Sequence, residues 1–310
     1  MSEDFRRAIA VGGVALAAAA LGFWRGRRTA PGATGGGGTF ASINRPTAGP
    51  RFEKALARGS APLQLYSCGT PNGQKVTILL EELGVPYDAH FINIGAGDQF
   101  GSEFTTRCPN SKIPLLVDRS APLTVTEATA AAAGAPDGHS VFESCAILVY
   151  LAEKYKSPLL PAEPAARSEV LTWVFFQAGA GPFFGQFGHF HKYAPGAAAG
   201  RRIPYAHARY KMEVQRLCDV LERQLAARGE PFLLGSALTL ADVAHFPWVR
   251  CLSGFYGARE DLELEKRFPK LMAWEARLSA RPAFVTGLRV NGFDAPPELK
   301  NYSTAGRRDK

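Results

Sequence analysis

No two cysteines in this 310-residue chain stand close enough to form a C-x-x-C pair. The five present (Cys68, Cys108, Cys145, Cys218, Cys251) are scattered singly and odd in number. This excludes a zinc-ribbon spacing and argues against a disulfide framework, and it suits a reducing, intracellular compartment. No internal repeat occurs. The chain also lacks a basic face. Net charge is +8, but residues 1–50 hold +4 of it and residues 301–310 hold +2, which leaves +2 for the 250 residues between. Basicity confined to the ends excludes nucleic acid as the expected partner of the body. Long apolar runs are absent except at residues 8–24, AIAVGGVALAAAALGFW. That run is flanked by Arg6 and Arg7 before it and by Arg25, Arg27 and Arg28 after it.

As a helix those 17 residues would span roughly 26 Å, a little short of the ~30 Å hydrocarbon core. Ten of them are Ala or Gly, so the run is weakly hydrophobic. A membrane anchor, a cleaved targeting segment and a soluble helix or arm all fit it. Residues 1–28 are therefore read as an anchor or targeting segment, with any membrane contact confined to 8–24. Residues 29–61 follow as a Gly-rich linker and N-terminal arm.

From residue 62 the pattern changes. Leu63–Ser67 reads as a buried strand and Cys68-Gly69-Thr70-Pro71-Asn72-Gly73 as a turn. VTILLEELG (76–84) has helical spacing ending on a C-cap glycine, and a strand is expected over 87–94. Lys112-Ile113-Pro114 precedes a strand at 115–117. An Ala-, Pro- and Gly-rich insertion fills 119–139, Val141-Phe142 ends the next strand, and a helix opens at Ser144. After Pro161 only helical signals remain, over 166–188, 203–227, 239–252 and 269–280. Thr239–Asp242 has the form of a capping box. The reading is an α/β domain over 62–160, an all-α domain over 161–290, and a tail over 291–310.

Several segments carry a resemblance. They are FASINRP (40–46), LQLYSCGTPNGQKVTILLEELG (63–84), INIGAGDQF (92–100), PNSKIP (109–114), VFESCAILVYLAEKY (141–155), FGHFHKYAP (187–195), YAHARYKMEVQRLCDVLERQL (205–225) and LTLADVAHFPW (238–248). In this order they resemble the nu-class glutathione transferases, over about residues 40–290. The resemblance implies a thioredoxin-like domain followed by an all-helical one, glutathione as co-substrate, no metal, and a homodimer. The implied activity is reduction of disulfide bonds by a bound glutathione thiolate, with weak peroxidase activity as a side reaction. Two alternatives stay open: a transferase conjugating glutathione to electrophiles, and a non-catalytic binding or regulatory module of the same fold.

The resemblance also distributes roles. Thr70 and Asn72 would donate to the glutathione sulfur; in cysteine-using relatives the reacting Cys stands where Thr70 stands here. Ile113, ahead of a cis proline, would pair with the cysteinyl backbone. Ser144 would hold the γ-glutamyl carboxylate at a helix N-terminus and Glu143 would meet the amine. Gln99 and Lys112 would face the glycyl end. Arg209 would reach the pocket from the second domain, and Asn44 would bring the N-terminal arm to a second glutathione. Plainer readings exist for each: a turn proline, an N-cap serine, a surface lysine, a surface ion pair. Cys68, two positions before Thr70, is read as a bystander thiol. His189, His191 and Tyr193 are read as rim or packing residues, and Gln177 and Trp173 as helix-core or interface residues.

Overall fold

The computed structural model describes residues 43, 45–124, 138–194, 203–229 and 231–306. Asn44 and the apolar run 8–24 lie outside them. No helix among the described residues is long and apolar enough to cross a membrane.

The strand β1 (Leu63–Ser67) is buried along its whole length. Helix α1 (Pro71–Leu83) carries the chain to β2 (Tyr87–Phe91), which lies parallel to β1 with Leu63 opposite Tyr87. A parallel neighbour requires such a crossover. Helix α1 starts five residues earlier than its apolar spacing suggests. Thr70 caps it in extended conformation and Pro71 occupies its first position, where a missing N–H costs nothing. The turn-like Thr-Pro-Asn-Gly is thus the first turn of the helix. Gly84 ends it at φ +65°, a conformation glycine adopts freely.

After the short helix α2 (Ser102–Arg107), strand β3 (Leu115–Asp118) pairs antiparallel with β1, and β4 (His139–Phe142) pairs antiparallel with β3. The register sets Tyr66 against Leu115 and Leu115 against Phe142. Helix α3 (Ser144–Lys154) closes the unit. The second domain is helical, with α4 (Pro164–Gly188) running into a π-helical turn (His189–Tyr193), α5 (Pro204–Arg228), and α6 (Leu240–Ser253) at the centre. The capping box is formed. Thr239 N donates to Asp242 Oδ2 at 3.0 Å, and Asp242 Oδ1 accepts from Leu233 N and Trp274 Nε1, each at 2.9 Å. Short helices α7 (Arg259–Leu262) and α8 (Leu264–Arg267) precede α9 (Pro269–Ser279) and α10 (Pro282–Arg289).

One apolar core runs from Leu65, Ile78 and Leu148 of the first domain through Phe246, Trp274 and Phe284 of the second. Helix α10 lies close on α1. A Cβ added at Gly287 would stand 2.7 Å from the Ile78 backbone, and Thr77 Oγ1 donates to the Gly287 carbonyl at 2.6 Å. The segment read from sequence as a tail returns to the first domain. After α11 (Pro297–Lys300), strand β5 (Tyr302–Ser303) pairs antiparallel with β2, giving the sheet order β4-β3-β1-β2-β5.

Candidate functional site

Three chain ends meet at one end of the sheet: the exit of β1 at Thr70, the entry to β3 at Ile113, and the exit of β4 at Glu143. The Thr70 hydroxyl accepts from Gly73 N at 3.4 Å, so its own proton remains to be donated. Asn72, half-buried on the first turn of α1, accepts from Trp248 Nε1 at 3.0 Å through Oδ1. Indole N–H can only donate, so this contact assigns the amide oxygen and leaves Nδ2 as a donor. Gly181 and Gly185 of α4 line the indole, where added Cβ atoms would already be in contact at 3.6 and 3.5 Å. Cys68 is buried beneath the turn, and burial pushes its thiol up to about 12. It is not a thiolate at neutral pH.

At the β4–α3 junction Glu143 adopts φ +70°, ψ 117°, a region that non-glycine residues occupy rarely and at a cost in strain. Its carboxylate accepts from Asn110 Nδ2 at 3.2 Å. Ser144 follows as the first residue of α3, buried, in a first turn with no acidic side chain. The helix N-terminus therefore presents free N–H groups and partial positive charge to an anion. Beneath it lies a lysine. Lys75, 2% exposed, donates to Ser144 Oγ at 3.2 Å and to Gln177 Oε1 of α4. Cys145 Sγ also donates to Gln177 Oε1, at 3.4 Å. Burial lowers Lys75 to about 8, against the opposing pull of Cys145 and Glu143. With its hydroxyl oxygen occupied by the ammonium, Ser144 is left to donate its own proton outward.

The Ile113–Pro114 bond is cis. Among the described residues neither the N–H nor the C=O of Ile113 is engaged by another backbone group, which leaves an extended donor and acceptor at the site's rim. Lys112 beside it is exposed. Gln99 is 6% exposed, in a 3₁₀ turn over Asp98–Phe100, and its Oε1 is buried without a hydrogen-bond partner. The N-terminal arm lies along this turn. Phe52 bridges Gly101, Arg51 N donates to Phe100 O at 2.8 Å, and the Arg51 guanidinium sits 3.3 Å over the Phe100 ring.

Arg209 is exposed on α5, where it pairs with Glu213 one turn on at 3.5 Å; no contact joins it to α1 or α3 among the described residues. Two residues in the arrangement have no counterpart in the sequence reading. Trp248 and Lys75 stand there only as letters of the matching segments 238–248 and 63–84. Gln177, read as a core or interface residue, is buried and is the acceptor for Lys75. A signal for Lys75 existed: helical spacing sets it on the face of Ile78 and Leu79, both fully buried.

Two family models match the chain, the glutathione S-transferase N-terminal domain over residues 70–154 and the glutathione S-transferase C-terminal domain over 204–277. The disulfide-bond oxidoreductase YghU of Escherichia coli (strain K12) is 45% identical over 269 residues, 84% of this chain and 85% of that protein. A glutathione transferase YghU from Streptococcus pneumoniae, solved with glutathione, is 41% identical with a TM-score of 0.72. The match covers 85% of this chain and 98% of that one. A glutathione transferase from Pseudomonas putida, solved with one glutathione disulfide per subunit, is 39% identical with a TM-score of 0.65, covering 76% and 94%.

Proposed function

This chain belongs to the glutathione S-transferase family, and on that premise we propose that it reduces disulfide bonds with glutathione, using a thiolate held by Thr70 and Asn72. The observation that carries the reading is the Trp248–Asn72 hydrogen bond, which fixes the amide oxygen and leaves Nδ2 as a donor two residues from Thr70. Glutathione's thiol, with an ordinary pKa near 8.5, is mostly protonated at neutral pH. Two neutral donors and the N-terminus of α1 favour its anion.

The rest of the site fits an extended γ-tripeptide. Ser144 and the free N–H groups of α3 suit the γ-glutamyl carboxylate, with Lys75 beneath, and Glu143 suits the amine. Ile113 offers one N–H and one C=O to the cysteinyl backbone. Gln99, through its amide N–H donors, and Lys112 serve the glycyl end. Asn44 is assigned to a second glutathione and Arg209 to a glutathione carboxylate, both on the family resemblance alone.

The reaction then balances without a protein thiol. The glutathione thiolate attacks one sulfur of the substrate disulfide, the S–S bond breaks, and the other sulfur leaves as a thiolate that takes up a proton. A second glutathione attacks the resulting mixed disulfide, releasing the remaining substrate thiol and glutathione disulfide. The relative from P. putida was solved with that product. A homodimer and a tether through residues 8–24 complete the reading, the first from family kinship and the second from the Arg-flanked apolar run.

The test is turnover of 2-hydroxyethyl disulfide against conjugation of an aromatic chloride, in the wild type and in Thr70→Ala, Asn72→Ala and Cys68→Ala. Disulfide reduction should dominate. It should fall in the first two variants, most at low pH, and persist in Cys68→Ala. Dominant conjugation supports the transferase alternative. A loss above about tenfold in Cys68→Ala, ~1.4 kcal/mol of transition-state stabilisation, supports a protein-thiol mechanism.

A further inference from the structure

His191, His207 and Asp261 stand far apart in the chain and belong to three different elements: the π-helical turn, the first turn of α5, and α7. Their polar atoms converge. His191 Nδ1 lies 3.3 Å from His207 Nε2 and 3.3 Å from Asp261 Oδ2, and His207 Nε2 lies 3.0 Å from the same oxygen. Four ligands bound tetrahedrally at 2.0–2.1 Å are separated from one another by about 3.3 Å, so these three atoms are spaced as the edges of one zinc coordination polyhedron.

The surroundings hold that spacing. The two imidazoles stack with centroids 5.5 Å apart at 24°, and Phe187 packs against both, at 5.0 and 5.7 Å. The side chains of His191 and His207 are 8% and 12% exposed. Lys211 Nζ donates to Asp261 Oδ1 at 3.1 Å, which leaves Oδ2 as the inward oxygen of a carboxylate whose outer oxygen is held. That Oδ2 is buried and accepts no hydrogen bond, although both imidazoles lie within ion-pair reach. A network built only to share protons would aim at least one N–H at the buried anion, because an unsatisfied buried charge is costly.

We propose that His191, His207 and Asp261 form a binding site for a divalent cation of borderline softness, Zn²⁺ first among them. Imidazole nitrogen and carboxylate oxygen are the donors that such an ion accepts. Three protein ligands leave one vertex for water. The ion would staple the end of α4 to α5 and α7. The site lies outside the machinery assigned to glutathione, and its role does not depend on that assignment. No metal-type spacing links the three residues along the chain; the fold alone brings them together.

The test uses the full chain, stripped with a chelator and kept free of glutathione, which itself binds zinc. Titration with ZnCl₂ should show one saturable equivalent and raise the melting temperature. Substitution by Co²⁺ should give the visible absorption of a low-coordinate nitrogen–oxygen site with no thiolate charge-transfer band. Asp261→Asn and His207→Gln preserve size, and each should weaken Zn²⁺ binding at least tenfold with an unchanged circular dichroism spectrum. If one variant does not fold, the other decides. No saturable equivalent in the wild type, a thiolate band with Co²⁺, or undiminished binding in a folded variant overturns the proposal.

Discussion

Trp248 Nε1 donates to Asn72 Oδ1 across 3.0 Å, joining the first turn of α1 to the central helix of the other domain, 176 residues away in sequence. The bond determines which end of the amide faces the site. Trp248→Phe removes the donor, together with the indole atoms that lie against Gly181 and Gly185. The amide is then free to turn, and on the proposed mechanism the thiolate loses a fixed partner. The expected result is a three- to tenfold fall in disulfide turnover at pH 6.5, about 0.7–1.4 kcal/mol. The kinetic pKa of bound glutathione should rise and the defect should shrink by pH 9. Asn72→Ala should show the same profile, and the double variant should add little. A pH–rate profile checks this; an equal loss at both pH values would show that Trp248 acts on packing alone.

Lys75 is held at about 8 by burial, against an ordinary 10.5. Between those two values the unfolded chain binds more protons than the folded one, so stability rises with pH across the window. The contribution is fully present above about 10.5 and is lost as pH falls through about 8. Its full size is on the order of 3 kcal/mol. Lys75→Met, which removes the titration and roughly conserves volume, should flatten this rise. Urea unfolding of both proteins at pH 7, 8.5 and 10 measures it. Parallel curves would mean that the buried amine keeps its charge through its contacts with Ser144 and Gln177.

Gly287 meets the backbone of Ile78 where α10 crosses α1, with room for no Cβ. Gly287→Ala should push the helices apart and strain the Thr77 hydrogen bond, lowering stability by about 1–3 kcal/mol, the usual cost of overpacking. Chemical denaturation reads this directly. A loss below about 0.5 kcal/mol would show that the helices shift without penalty.

The Arg-flanked run at 8–24 predicts that a fluorescent fusion of the full chain fractionates with membranes and that a version starting at Gly35 does not. Identical fractionation of the two would remove the tether from the proposed function.

Much of this arrangement was legible in the sequence because its signals are local. Gly84 marks a helix end, Pro114 a turn into a strand, and Thr239 with Asp242 a cap; each is determined by neighbours a few residues away. The start of α1 was legible in composition but misjudged in position, because Thr-Pro at a helix start reads equally as a turn. What stayed hidden depends on partners distant in the chain. Trp248 shows nothing of Asn72, and Lys75, although its spacing sets it on the buried face of α1, shows nothing of its partners Ser144 and Gln177. Arg209, expected from the resemblance to face the pocket, is found beside Glu213 on the helix surface, a pairing that its i,i+4 spacing already allowed.

Strand β5 has a consequence for synthesis. It is made of Tyr302 and Ser303, yet it covers the outer edge of β2, whose residues begin at Tyr87. A ribosome therefore delivers the first domain's sheet with one flank open and leaves it open while the whole helical domain is made. Until Tyr302 and Ser303 emerge, that flank offers unpaired backbone to any passing strand. Nascent chains halted before residue 302 carry a nearly complete domain in which Asp88 and Ala89 lack their edge partners.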